Sequence, residues 1–258
     1  MVKYIKGFFK YRFLLWELVK KGIKLKYRRS YLGIVWSLIE PILTTIVLVI
    51  VFGTLFNNKD PQFPLYVVSG RLLYTFFQSG TKQATTAIRN NASMIKKVYV
   101  PKYLYPLAGV LFNFIIFLIS LIVLILVMIY TRTMPTLYLW QFLPALAILL
   151  VFTIGCGMFL SALHVFFRDV EYLWNVMLML IMYMSAIFYF PDRLLKSRWA
   201  FVIQYNPLYC IIDVFRGSVM GYQASAWDFG YTIVISLMAV FLGTYLFWKT
   251  QDRFILHI

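Results

Sequence analysis

The sequence predicts an all-α integral membrane protein. It should have six transmembrane helices, an N-terminal interfacial amphipathic helix, and outer re-entrant or gate helices between spans five and six. Three observations predict this. The 258 residues are 62% hydrophobic and 19% aromatic, more than a soluble domain of this size can bury. Apolar runs long enough to cross a bilayer recur between short polar or basic segments. Eighteen of the 25 Lys and Arg residues fall where loops on one side would lie, six fall on the other, and Arg71 lies in the membrane. That bias places both termini in the cytoplasm and explains the net charge of +16 without nucleic acid.

The chain reads as one transmembrane domain, residues 1–258. Within it, 1–31 form a cytoplasmic interfacial helix, 32–190 spans one to five, 191–230 an external segment, and 231–258 span six with a cytoplasmic tail. Over residues 8–28, Lys10, Glu17, Lys21, Lys24 and Arg28 share one helical face, and Phe8, Leu15, Val19 and Ile23 the other. A helix lying on anionic headgroups has this pattern, and so does a plain positive-inside signal. Arg28 and Arg29 precede span one, Ile34 to Phe56, about 34 Å of helix. Glu40 and Pro41 inside it indicate a helix facing protein or water.

Asn57 to Pro61 form a turn. Span two, Phe63 to Ala87, carries Arg71, Thr75, Gln78 and Lys82 at helical spacing, a stripe that must turn away from lipid. Glu40 lies about 9 Å above the inner end of its helix, so depth alone predicts Gln78 or Lys82 as its neighbour rather than Arg71. Residues 88–106 are polar and basic. Span three, Leu107 to Tyr130, is the most aliphatic and is expected to be the most lipid-exposed. Span four, Trp140 to Val165, contains Gly155 and Gly157, which permit close helix contact. A loop from Phe167 to Glu171 leads to span five, Leu173 to Phe190.

Asn206 and Pro207 suit the cap and first position of a helix that Gly217 or Gly221 ends. Its apolar face is Leu208, Ile211, Ile212, Phe215 and Val219, and about fourteen residues are too few to cross a bilayer. Such a helix either gates the bundle's outer end or covers it, with Trp199 to Tyr205 as a shorter partner. Span six is Tyr231 to Trp248.

Enzyme chemistry has little support. There is no G-x-x-x-x-G-K-[ST] loop, so ATP is not held in the P-loop manner. Cys156 and Cys210 are too far apart in sequence for a disulfide framework or a zinc site, and His164 and His257 lack metal-ligand companions. Asp169 and Glu171 beside Arg168 fit an ion pair or a docking loop better than an acid/base pair. No cleavable signal peptide is expected, because the first apolar stretch follows a long charged segment.

The segment Tyr27-Arg-Arg-Ser-Tyr-Leu-Gly33 with Trp36 and Pro41 resembles the start of ABC-2-type permeases that export polysaccharides and polyol phosphates. Three further blocks follow that family's order: Met94-Ile-Lys-Lys-Val-Tyr-Val-Pro101, Phe167-Arg-Asp-Val170, and Asn206-Pro207 with Asp213, Phe215 and Arg216. The family often has a proline near the outer end of span five. This chain has Ser185-Ala-Ile-Phe-Tyr189 there, which leaves that kink open.

The resemblance implies a transporter subunit, not an enzyme, in the bacterial cytoplasmic (inner) membrane. It implies two copies of the chain and two separate ATPase subunits that carry the ATP and Mg, with no cofactor in this chain. The implied cargo is an O-antigen, capsule or teichoic-acid polymer on a polyprenyl pyrophosphate lipid. An ABC exporter of a small apolar compound shares this plan. A secondary transporter without an ATPase would instead use Glu40 or Arg71 as a relay.

By the same resemblance Arg89, Met94, Ile95, Lys96, Lys97 and Val98 form the element that couples to the ATPase. Met94, Ile95 and Val98 would be its apolar docking ridge and Lys96 and Lys97 its charged rim. Trp36, Tyr74, Phe77, Trp174 and Tyr183, with Glu40, Arg71, Gln78 and Lys82, are candidates to line the conduit, because aromatic faces pack on sugar rings. Taken singly, each aromatic is better read as a core or lipid-facing residue. Arg28, Arg29 and Lys82 would meet a pyrophosphate headgroup or serve topology alone. Asn206, Pro207, Asp213, Phe215 and Arg216 belong to the implied outer gate.

Overall fold

The computed structural model describes residues 11–28, 30–56, 60–97, 100–134 and 136–257, and its regular elements are all helical. Helix α1 (Arg12–Tyr27) buries Leu15 and Val19, the face its pattern picks out. That face lies on protein rather than on headgroups. It packs against Leu104, Ala108, Phe112 and Ile116, and a methyl group on Gly22 would come within 3.1 Å of the Phe112 ring.

A 3-10 turn, Gly33–Val35, leads into α2 (Trp36–Leu55). Pro41 sits inside α2 and cannot donate to the carbonyl of Ser37, one turn earlier. Ser120 Oγ, from α5, lies 3.0 Å from that carbonyl and also 3.0 Å from Ile116 O, so its one proton is shared between the carbonyl that Pro41 leaves free and its own helix.

Helix α3 (Phe63–Asn90) is 28 residues, about 42 Å long, and is the centre of the bundle. Leu73, Tyr74, Phe76 and Phe77 pack with Phe117, Leu149, Phe152, Ile211 and Phe215 in the main core. After α4 (Ala92–Lys97) come α5 (Leu104–Tyr130), a 3-10 turn (Leu137–Gln141), and α6 (Phe142–Phe166). Helices α7 (Val170–Met184), α8 (Asp192–Leu195), α9 (Ala200–Gln204) and α10 (Pro207–Met220) follow. Helix α11 (Ala226–Thr250), a 3-10 turn (Gln251–Arg253) and α12 (Phe254–His257) end the chain. Helices α6 and α11 cross at Gly155 and Gly243 with their backbones in contact; a side chain at Gly155 would collide with the main chain of Ala239 and Val240.

Among the described residues, four helical segments are long and apolar enough to cross a membrane: Gly33–Leu55, Leu104–Tyr130, Leu137–Phe166 and Ala226–Arg253. Helix α3 is too polar and α7 too short to join them on those grounds. The aliphatic third span is not the most exposed. Within its apolar stretch 44% of residues are buried, against 11% for the first segment and 17% for the last.

Two stretches differ from the sequence reading. Helix α7 stops at Met184 after 15 residues, about 22 Å, instead of running to Phe190. Ser185, Ala186, Ile187 and Phe188 then turn back into the protein and are buried, with Ala186 at φ 45°. The kink therefore exists without the proline, because donors from other elements take the carbonyls that the helix end frees. Helix α10 has the expected limits: Asn206 Oδ1 accepts from Leu208 N at 3.1 Å, and Gly221 ends it at φ 85°. Leu208, Ile211, Ile212, Phe215 and Val219 are buried as expected, yet so are Tyr209, Cys210, Val214, Arg216 and Ser218. It is a helix inserted into the bundle, not an amphipathic one lying on it.

Candidate functional site

The polar stripe of α3 lies on the edge that its neighbours leave open. Arg71, Thr75 and Gln78 are half-buried and Lys82 is exposed, while most of the helix is buried. Two cavities run along this edge. One of about 230 Å³ is lined by Lys26, Trp36, Glu40, Arg71, Thr75 and Ser79, among others. The second, about 600 Å³, takes in Lys26, Ser79, Lys82, Gln83, Glu171 and Trp174. Lys26, Ser79 and Asn113 line both, so the two form one cleft between α1, α2, α3, α5 and α7.

Depth counting fails for Glu40. Arg71 shares its cavity and Lys26 faces it from α1, while neither Gln78 nor Lys82 lines that space. The carboxylate acts electrostatically on both Arg71 and Lys26. Burial depresses the Lys26 ammonium below the usual lysine range, and Glu40 opposes that shift. Helix α3 has 28 residues against 20 in α2, so counting residues from the helix ends does not fix which positions of the two face each other.

The candidate aromatics divide. Trp36 is exposed on the first cavity, and Trp174 lines the second with its Nε1 donating to Thr81 Oγ1 at 2.9 Å. Tyr183 is exposed, edge-on to Phe188. Tyr74 and Phe77 are core residues instead. The Tyr74 hydroxyl donates to Leu178 O at 2.9 Å, and Phe77 stacks on Phe152 at 5.4 Å. Both lie on the apolar side of α3, where helix packing closes over them.

Arg28 is exposed outside both cavities, and Arg29 lies outside the described residues. Lys26, not Arg28, is the cation of that segment that lines the cleft. Ser79 was legible, since it stands four residues after Thr75 on the same stripe. Lys26 and Asn113 were not, because each reaches the cleft only through the packing of its own helix.

At the other end of α3, the apolar ridge of α4 faces inward. Ile95 is buried with Ala87, Ile88, Val165, Phe247 and Phe254, and Met94 packs against that cluster. Val98 lies outside the described residues. Of the ridge expected to dock a partner, Ile95 and Met94 thus pack on the bundle, and Lys96 and Lys97 remain exposed. Arg89, half-buried at the end of α3, acts on His164, which lies 3.4 Å from the Glu171 carboxylate. Glu171 pairs with His164 across the loop, and Arg168 and Asp169 are both exposed.

A model of the ABC-2 type transporter family matches residues 14–220, from α1 to the end of α10. The chain belongs to that family. Among its curated relatives, an O-antigen export system permease protein of Klebsiella pneumoniae is 26% identical over 247 residues, 93% of each chain. A second O-antigen export system permease protein, from Myxococcus xanthus, is 27% identical over 84% of each chain. The polysialic acid transport protein of Escherichia coli is 21% identical over 90% of this chain and 91% of its own.

In this ABC-2 chain the outer residues have unequal places. Asn206 is buried at the cap and Pro207 is the first residue of α10. Asp213 is half-buried and accepts from the Tyr222 hydroxyl at 2.8 Å, and its burial pushes the carboxyl above the usual range. Phe215 is fully buried against Phe142, and Arg216 is buried as well. Neither is available at a mouth, and Arg216 is not an exposed outer charge.

Proposed function

We propose that this chain is the permease subunit of an ATP-driven ABC exporter that moves a lipid-linked cell-surface polysaccharide out across the bacterial cytoplasmic membrane. The observation that carries the reading is the cleft along α3. A charged and hydroxyl-rich groove along the helix at the centre of the bundle fits a polar cargo crossing there. The names of the relatives agree, since they export O-antigen or transport polysialic acid. A small apolar cargo would want an apolar groove instead.

On this reading α3 and α7 complete six spans with both termini in the cytoplasm. Two copies pair, and two separate ATPase subunits bind ATP and Mg, as ABC-2 permeases work with ATPase subunits. The exposed faces of α2, α7 and α11 supply apolar surface for lipid and for the second copy. Lys26, Arg71 and Lys82 offer cations to a phosphate-bearing carrier lipid, and Trp36 and Trp174 offer rings to sugars. O-antigen and capsule chains are the favoured cargo, with teichoic acid as a chemically similar polymer.

The test is restoration of export. A host lacking its own polysaccharide permease receives this chain with its ATPase, and surface polymer is measured by antibody and by sugar analysis. Restored surface polymer, with the ATPase co-purifying, supports the reading. If the chain and ATPase assemble in the membrane while all polymer stays inside, a different cargo is transported.

A further inference from the structure

Counting charges along the chain puts Arg216 on the outer aqueous side, yet only 1% of its surface is exposed. Its guanidinium lies 3.4 Å from the centre of the Tyr66 ring. Nη2 donates to two carbonyls, Tyr66 O on α3 at 3.2 Å and Ala186 O at 3.1 Å. Gly70 makes the room, because a methyl group there would fall 2.6 Å from Nη2.

Ala186 is the left-handed residue in the turn that ends α7. A non-glycine residue there is strained and has to be held. Its carbonyl accepts a second bond from Tyr66 Oη at 2.8 Å, and the same hydroxyl donates to Tyr189 O at 3.0 Å. At the start of α10, Asn206 Nδ2 donates to Met184 O at 3.2 Å and to Ser185 Oγ at 3.0 Å. Helix α10 therefore grips one short turn twice, with its cap and with a residue three turns later.

We propose that Arg216 is a positioning residue that ties α10, the outer part of α3 and the broken end of α7 into one body. Helix α10 cannot shift against α3 without stripping a donor from the Ala186 carbonyl and lifting the cation off Tyr66. Both losses are costly where no water replaces them. Lysine would keep the charge and lose the planar contact, so it is only a partial substitute. The inference depends on neither the cargo nor the ATPase, and its test needs neither.

The chain has two cysteines, and Cys210 is fully buried on α10 beside Ala186 and Ile203. In a Cys156→Ser background, the purified full-length chain in lipid nanodiscs is treated with N-ethylmaleimide. The labelling rate of Cys210 then reports how often α10 separates from its neighbours. Arg216→Met should speed labelling about tenfold or more. Gly70→Ala, on the opposite helix, should do the same by displacing the guanidinium. The double variant should label no faster than the faster single, because both changes break one contact.

A general loss of stability would instead multiply the two effects. Arg216→Lys should fall between Arg216→Met and the unmodified residue. Unchanged labelling in either Arg216→Met or Gly70→Ala, or multiplicative rates in the double variant, overturns the proposal. Should Arg216→Met fail to accumulate, the same cycle is run with Arg216→Lys and Gly70→Ala and read by the same criteria.

Discussion

Replacing Ile95 with alanine separates two roles for α4, a ridge that grips an ATPase or an anchor that holds α4 to the permease. Ile95 is 7% exposed and packs in a cluster with α3, α6, α11 and α12. Removing a buried isoleucine to alanine costs about 2–5 kcal/mol through lost transfer energy and the cavity left behind. In a chain of this length each kcal/mol lowers the melting midpoint by roughly 2–4 °C, so Ile95→Ala should lower it by about 5–15 °C. The assay is thermal unfolding of the detergent-solubilised chain without any ATPase. ATPase co-purification is measured separately at a temperature where the variant stays folded. The anchor role predicts a lower midpoint in the isolated chain. An unchanged midpoint together with lost ATPase binding would show that Ile95 faces the partner and that its burial is the wrong guide.

Lys96→Ala with Lys97→Ala should leave the midpoint of the isolated chain within about 2 °C, since both are exposed, and should weaken ATPase association most at low salt. Salt-independent or unchanged association would remove them from the interface. Arg71→Met should cut surface polymer at least about tenfold with normal amounts of chain in the membrane, because it removes a cation that shares the cleft with Glu40; full export would take Arg71 off the path. Tyr74→Phe should cost about 1 kcal/mol of stability by losing the bond to Leu178 O and leave export intact, whereas a transport defect at normal stability would return Tyr74 to the conduit. Gly155→Leu should prevent stable assembly, as the backbone of α11 fills that space, and a stable, exporting variant would mean that α6 and α11 do not cross there.

The sequence by itself determined what depends on neighbours along the chain. Helix α10 starts at Asn206 because an Asx cap and an N-terminal proline are local instructions, and of the two glycines that could end it the structure uses Gly221. The stripe on α3 was legible because Arg71, Gln78 and Lys82 stand out against an apolar background. Only the tertiary structure decided where the apolar residues face. Where nearly every position is apolar, periodicity has no contrast, so Tyr74 and Phe77 in the core look no different from Trp36 on the cleft. The same limit hid the inward turn of Ile95. The break after Met184 left no trace in the largely apolar run from Val176 to Phe190, because its cause lies elsewhere. Tyr66, Asn206 and Arg216, all distant in sequence, supply the donors that its free carbonyls need where no water can reach them.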